Sequence, residues 1–176
     1  MWLQTPGAEK AVKLEPKDTQ EGKLRWWKAE IETPAPRSID VYTKWGVYRY
    51  GKNDTLLHYY ARNVEAKTAE QLNALAESKN LGIQLQPRWE GSELQVRAVR
   101  DGKPMAKQQI KFRGPTVSRN YTTDDNGVAT IPIEKPGRYL LRTEVKLPDE
   151  AGSFKGKDYV QVHHHSTLIL RLPPKQ

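Results

Sequence analysis

Three consecutive histidines, His163, His164 and His165, are the residues of this sequence best suited to chemistry. Imidazole is the commonest side-chain ligand for transition metals. Residues two apart on a β-strand stand on the same face, so His163 and His165 would lie side by side, roughly 6.5 to 7 Å apart, with His164 pointing inward. The triplet therefore predicts a pair of nitrogen ligands. The alternative interpretation is that polar residues simply interrupt an edge strand.

Two imidazoles alone bind a metal weakly, so a functional site needs a third ligand. His58 and Asp158 are the candidates, provided that the fold brings them near the pair. His58 lies among aromatic residues, which is also typical of a packed, hydrogen-bonded core histidine. Nickel, cobalt, copper and zinc all suit such a site, and the Irving-Williams order predicts the tightest binding for copper.

The histidines belong to a segment with the period-2 alternation of a half-buried strand, Asp158 to Leu172. Val162, Leu168 and Leu170 occupy one parity, and mostly polar residues occupy the other. The segment therefore predicts a strand with one apolar and one polar face, which fixes the direction of each histidine.

The first half of the chain contains two further strand patterns, Ser38 to Tyr50 and Thr55 to Val64, separated by the turn residues of 51–54. We expect them to pair as an antiparallel ribbon, with Gly46 marking a bulge. Alternation along the first strand predicts three tyrosines on one face: Tyr42, Tyr48 and Tyr50. The only convincing helix is short, at 68–77, where Thr68 and Gln71 can form a capping box.

The second half shows turn signals at intervals of about 8 to 12 residues, which is typical of an antiparallel β-sandwich. Residues 81–87 are predicted as an extended connector between two modules. We therefore predict a mainly β protein made of two antiparallel β-sandwich modules, immunoglobulin-like or transthyretin-like, with one short helix. The predicted modules are 1–90, an N-terminal β module that contains the helix, and 91–176, an immunoglobulin-like sandwich.

Composition and missing motifs exclude several classes of function. The chain of 176 residues has a net charge of +8, and Lys and Arg exceed Asp and Glu by 7 in residues 94–176 but by only 1 in residues 1–93. The basic residues occur singly along predicted strands, so solvated sheet faces are expected rather than nucleic-acid binding.

No apolar run is long enough to span a bilayer, and cysteine is absent. No hydrolase, zinc-protease or nucleotide-binding motif is present, so we expect a non-enzymatic protein.

Several short motifs resemble one family. They are Thr43 to Tyr48 (TKWGVY), Leu56 to Arg62 (LLHYYAR), Thr123 to Ala129 (TDDNGVA), Gly137 to Leu141 (GRYLL) and His164 to Leu170 (HHSTLIL). Together they resemble an exported bacterial family of unknown function, domain of unknown function 4198, often labelled a periplasmic component of nickel or cobalt transport. The start Trp2-Leu3-Gln4 is similar to mature members of that family, which follow a cleaved signal peptide. Residues 5–37 depart from its pattern.

No signal peptide follows Met1, so we expect either a cytosolic protein or one whose signal has been removed. The resemblance favours the second, because it implies β-sandwich modules, no known catalysis and a periplasmic or extracellular location. Our leading hypothesis is an exported binding or accessory protein that handles a divalent transition metal through His163 and His165. Its partner would be a metal transporter or a cell-surface component. The alternative hypothesis is a structural or adhesive surface module that binds a protein or polysaccharide through exposed aromatic residues.

Overall fold

The computed structural model describes residues 1–172, which form sixteen strands and one short helix. This confirms the prediction of a mainly β protein with one short helix. The strands in chain order are β1 (Trp2–Gln4), β2 (Val12–Lys13), β3 (Lys17–Glu21), β4 (Leu24–Lys28), β5 (Arg37–Tyr50), β6 (Asn53–Glu65), β7 (Ile83–Glu90), β8 (Glu93–Arg100), β9 (Lys103–Pro104), β10 (Gln109–Arg113), β11 (Ser118–Thr122), β12 (Val128–Pro132), β13 (Gly137–Leu147), β14 (Gly152–Phe154), β15 (Lys157–Tyr159) and β16 (Gln161–Leu172). Helix α1 spans Ala69–Ala74.

The larger sheet has eight strands in the order β11-β10-β13-β16-β6-β5-β1-β2. Adjacent strands of this sheet are antiparallel except at its centre, where β16 and β6 are parallel. The histidine strand is therefore an interior strand of the sheet, flanked by β13 on one side and β6 on the other. Two short ribbons, β3–β4 and β14–β15, lie outside this sheet.

The smaller sheet, β12-β8-β7 with β9 paired to β8, packs on one face of the larger one. The interface is a single apolar cluster that includes Leu168 and Leu141 from the larger sheet and Val96 and Ile131 from the smaller. Residues 83–87 of the predicted connector belong to strand β7 of this smaller sheet. The predicted modules 1–90 and 91–176 thus share a sheet and a core. Residues 173–176 of the second one lie outside the described residues.

Helix α1 begins at Thr68, as its sequence predicts. The Gln71 backbone N–H donates to Thr68 Oγ1 at 3.2 Å, and the Gln71 side chain accepts from the Lys67 N–H at 2.9 Å. The helix ends at Ala74, earlier than predicted. The carbonyls of Leu75 and Ala76 accept hydrogen bonds from the buried Arg62 guanidinium instead of continuing the helix.

Strands β5 and β6 form the expected antiparallel ribbon, with a bulge between Lys44 and Gly46. The extra residue, Trp45, reverses the alternation of β5. The three tyrosines that were predicted on one face of the strand therefore lie on opposite faces. Tyr42 lies opposite Tyr60 and near His58, whereas Tyr50 lies on the other face near His163.

The larger sheet consequently has two unlike faces. One packs on the smaller sheet, and we call it the inward face. The other, which we call the outward face, carries residues of opposite parity, including His163 and His165 of β16.

Candidate metal centre

Strand alternation separates the three histidines as the sequence predicts. His163 and His165 share the outward face with ring centroids 6.3 Å apart, and His164 points to the inward face, where it meets His58. The His163 side chain is almost fully buried, whereas that of His165 is about one-quarter exposed. The pair is therefore held in a sheet interior rather than on a free edge.

Glu144 of β13 supplies a third donor beside the pair. It lies opposite His165 in the antiparallel register, so its side chain stands on the same outward face. Glu144 Oε1 is 3.3 Å from His163 Nδ1 and 3.8 Å from His165 Nε2. All three donor atoms lie within 4.8 Å of one another.

Both histidine nitrogens that face Glu144 are buried and make no hydrogen bond within residues 1–172. A buried polar atom without a partner is costly, so such atoms mark strain, function or an unrecorded ion. A tetrahedral ion with bonds of about 2.1 Å holds its ligand atoms about 3.4 Å apart, close to the distances from Glu144 to the two imidazoles. The three residues are therefore candidate ligands of one metal ion, which would satisfy both nitrogens at once.

The electrostatics keep both imidazoles in the form that binds metal. Burial lowers the pKa of His163 and of His165, and the carboxylate of Glu144 only partly opposes this. Lys146 lowers both pKa values further. Because neutral imidazole is the ligand, the two rings need not lose a proton before they bind a metal near pH 7.

Aromatic rings form one wall of the centre. Tyr59 stacks on His165 at a ring-centroid distance of 5.0 Å, and Tyr50 lies 5.5 Å from His163. Trp45, the extra residue of the β5 bulge, contacts the edge of Tyr59. These contacts fix the orientation of the imidazoles, a task that hydrogen bonds perform in many metal sites.

The other candidate ligands lie elsewhere. His58 is buried on the inward face, where its Nδ1 lies 3.0 Å from Tyr42 Oη, and its ring centroid is 4.7 Å from that of His164. The sheet therefore separates His58 from the centre formed by His163 and His165. Asp158 is exposed in β15 and is not part of the three-residue group.

Sequence analysis did not identify Glu144 as a candidate ligand. The sequence does indicate the face on which Glu144 lies. In β13, Tyr139, Leu141, Thr143 and Val145 alternate with mostly polar residues, and Glu144 falls among the polar ones. Its place opposite His165 depends on the register between β13 and β16, which local patterning does not specify.

Within residues 1–172, no helix is both long and apolar enough to cross a membrane.

Comparison with known proteins places the chain in a family. No curated protein and no solved structure matches it. One family model matches residues 19–147, which is most of the chain and includes Glu144. The protein therefore belongs to the family described as Domain of unknown function (DUF4198).

Proposed function

We propose that this protein is an exported, non-enzymatic binding or accessory protein that handles a divalent transition metal at Glu144, His163 and His165. The observation that carries the proposal is the pair of buried histidine nitrogens, both without a hydrogen-bond partner in residues 1–172 and both within 4 Å of the same carboxylate oxygen. A dedicated ion site explains why this arrangement is retained in a well-packed sheet.

The donor set favours a transition metal over calcium or magnesium. Two imidazoles and one carboxylate suit nickel, cobalt, copper and zinc, whereas calcium requires six to eight oxygen ligands. Three protein ligands leave coordination positions open for water or for a second molecule that delivers or receives the ion. This is the arrangement expected of a protein that passes a metal on, in keeping with a location in the periplasm or outside the cell and with a metal transporter as partner.

Calorimetric titration of metal-stripped protein with Ni²⁺, Co²⁺, Cu²⁺ and Zn²⁺ tests the proposal. We expect micromolar or tighter binding, strongest for copper, that disappears in a His163→Ala/His165→Ala variant. The matched control is His58→Gln, which changes a histidine on the inward face and should leave affinity unchanged. Absence of binding, or equal binding by wild type and the double variant, would refute the metal centre.

A second candidate function is a surface module that binds a protein or polysaccharide. Trp45, Tyr48 and Tyr50 are each about half exposed on the outward side of β5, and Trp27 is exposed in β4. Exposed aromatic rings stack well on sugar rings and on partner side chains. Quenching of tryptophan fluorescence by neutral oligosaccharides, abolished in a Trp45→Ala variant, would support this function. Unchanged fluorescence would count against sugar binding by these rings.

A further inference from the structure

The outward face of the larger sheet carries a cluster of basic side chains beyond the metal centre. All of its members are exposed, all project from strands β10, β13 and β16, and we call them the basic zone: Lys111, Arg113, Arg138, Arg142 and Arg171. In the sequence they are isolated residues. The sheet register brings them together.

Like charges stand directly opposite one another in this zone. Arg138 is the cross-strand partner of Arg171, and Lys111 is the cross-strand partner of Arg142. Like charges at such positions destabilise a sheet. A sheet that keeps two such pairs side by side has a surface suited to a negatively charged partner.

The basic zone has no carboxylate partner among the described residues. Within residues 1–172, none of its five members has an Asp or Glu oxygen within 4.0 Å of its charged nitrogens. Two acids on this face have other partners, because Glu65 pairs with Arg37 at 2.8 Å and Glu144 lies beside the two histidines. The positive potential of the zone is therefore directed at solvent.

The zone borders two shallow clefts, each of about 390 Å³. One is lined by Arg113, Arg138 and Arg142, and the other by Arg138 and Arg171, with the half-buried Ile169 shared between them. The second cleft is also lined by Lys67 and by Glu65, whose carboxylate pairs with Arg37. The first cleft combines an apolar floor with guanidinium walls. Such a surface fits a ring that has an apolar face and carries an oxyanion.

We propose that the basic zone binds an anionic polysaccharide, a chain of sugar rings that carry carboxylate, sulfate or phosphate groups. Guanidinium groups bind these oxyanions in a bidentate manner, and Ile169 contacts the apolar face of a sugar ring. Arg138 and Arg142 are four residues apart on one strand, about 13 Å, so one small ion cannot reach both cross-strand pairs. Successive charged sugar units of a polysaccharide can reach both pairs. This proposal is independent of the metal centre.

Other polyanions fit less well. Single-stranded nucleic acid is bound by stacking its bases on exposed aromatic rings, yet the one aromatic residue at these clefts, Tyr139, has its ring buried and stacked on Phe112. Duplex DNA is read by elements that enter its grooves, and the zone is a sheet face.

The test is fluorescence anisotropy with fluorescein-labelled polygalacturonate and heparin at low salt. We expect binding that weakens as salt is added and that is at least about tenfold weaker in an Arg138→Ala/Arg171→Ala variant. The charge-matched control is Lys23→Ala/Lys52→Ala, which removes two exposed turn cations away from the zone and should change affinity less than about twofold. Circular dichroism checks that both variants are folded, and Arg138→Gln provides a milder second variant.

Three outcomes would overturn the proposal. The first is absence of binding to both polysaccharides by the wild-type protein. The second is an equal loss of affinity in the two double variants, which would assign binding to net charge alone. The third is tighter binding to single-stranded DNA or to phosphatidylglycerol vesicles than to either polysaccharide, which would assign the zone to another partner.

Discussion

Replacement of Arg62 by methionine should destabilise this protein more than any change of an exposed arginine. Arg62 and Asp40 form an ion pair at 3.0 Å, and each side chain is only 1% exposed. The same guanidinium donates to the carbonyls of Ala76 and Leu75 at 2.6 and 2.9 Å. It therefore connects β5, β6 and the chain that leaves helix α1.

Arg62→Met leaves Asp40 as a buried charge without its counter-ion and removes the donors of two carbonyls. Breaking a buried pair in this way costs about 3 to 5 kcal/mol. For a chain of this size that corresponds to a fall in melting temperature of roughly 6 to 20 °C. The expected loss is a large part of a typical total stability of about 5 to 15 kcal/mol.

Urea unfolding followed by tryptophan fluorescence measures the loss, with an unchanged slope showing that the folded state remains compact. The matched control is Arg49→Met, which removes an arginine from an ion pair with Asp54 whose side chains are 65% and 45% exposed. That change should cost less than about 1 kcal/mol. A double variant, Asp40→Val/Arg62→Met, should be more stable than Arg62→Met, because it removes the buried charge together with its partner. Equal losses for Arg62→Met and Arg49→Met would refute this reasoning.

Three further predictions concern the sheet faces. Glu144→Gln keeps the shape of the side chain but removes its charge, so metal affinity measured by calorimetry should fall by about tenfold or more; unchanged affinity would exclude Glu144 as a ligand. Burial, with the neighbouring charge of His58, lowers the pKa of His164 to about 4. Between that pKa and the value of 6.5 in the unfolded chain, the unfolded state binds more protons, so the free energy of unfolding falls as pH falls. In urea unfolding without metal, the wild type should therefore lose about 2 kcal/mol more than His164→Gln between pH 6.5 and 5, and equal losses would contradict this. Arg138→Gln relieves repulsion from Arg171, so it should raise stability at low salt by about 0.5 kcal/mol, and a gain that persists in 1 M salt would show another cause.

The sequence predicts those parts of the fold that depend on neighbouring residues. The ribbon of β5 and β6, the bulge at Gly46 and the helix cap at Thr68 all have their determinants within a few residues. The alternation of β16 likewise predicts that His163 and His165 share a face and that His164 points inward. These features are confirmed because period, turn chemistry and capping act over short distances.

The remaining features depend on pairing between distant strands. The parallel pairing of β16 with β6 joins residues about a hundred positions apart and places His58 beside His164, across the sheet from the other two histidines. The register of β13 on β16 brings Glu144 to the candidate metal centre and Arg138 to Arg171. Side-chain alternation indicates the face of each residue but not its cross-strand neighbour, so neither the third candidate ligand nor the basic zone is visible in the sequence.

The charges around Glu144 bear on which ion the proposed centre would select. Arg142 and Lys146 stand on either side of it on the outward face, and Lys146 Nζ is 3.6 Å from Glu144 Oε2. These cations oppose the approach of any dication, so one carboxylate provides too little attraction for calcium or magnesium, which bind through charge and many oxygens. The same cations help burial to keep the imidazoles neutral, because Lys146 lowers the pKa of His163 and of His165 and Arg142 lowers that of His165. Neutral imidazole forms strong coordinate bonds with nickel, copper and zinc, so the basic surroundings favour ions held by ligand bonding over ions held by charge.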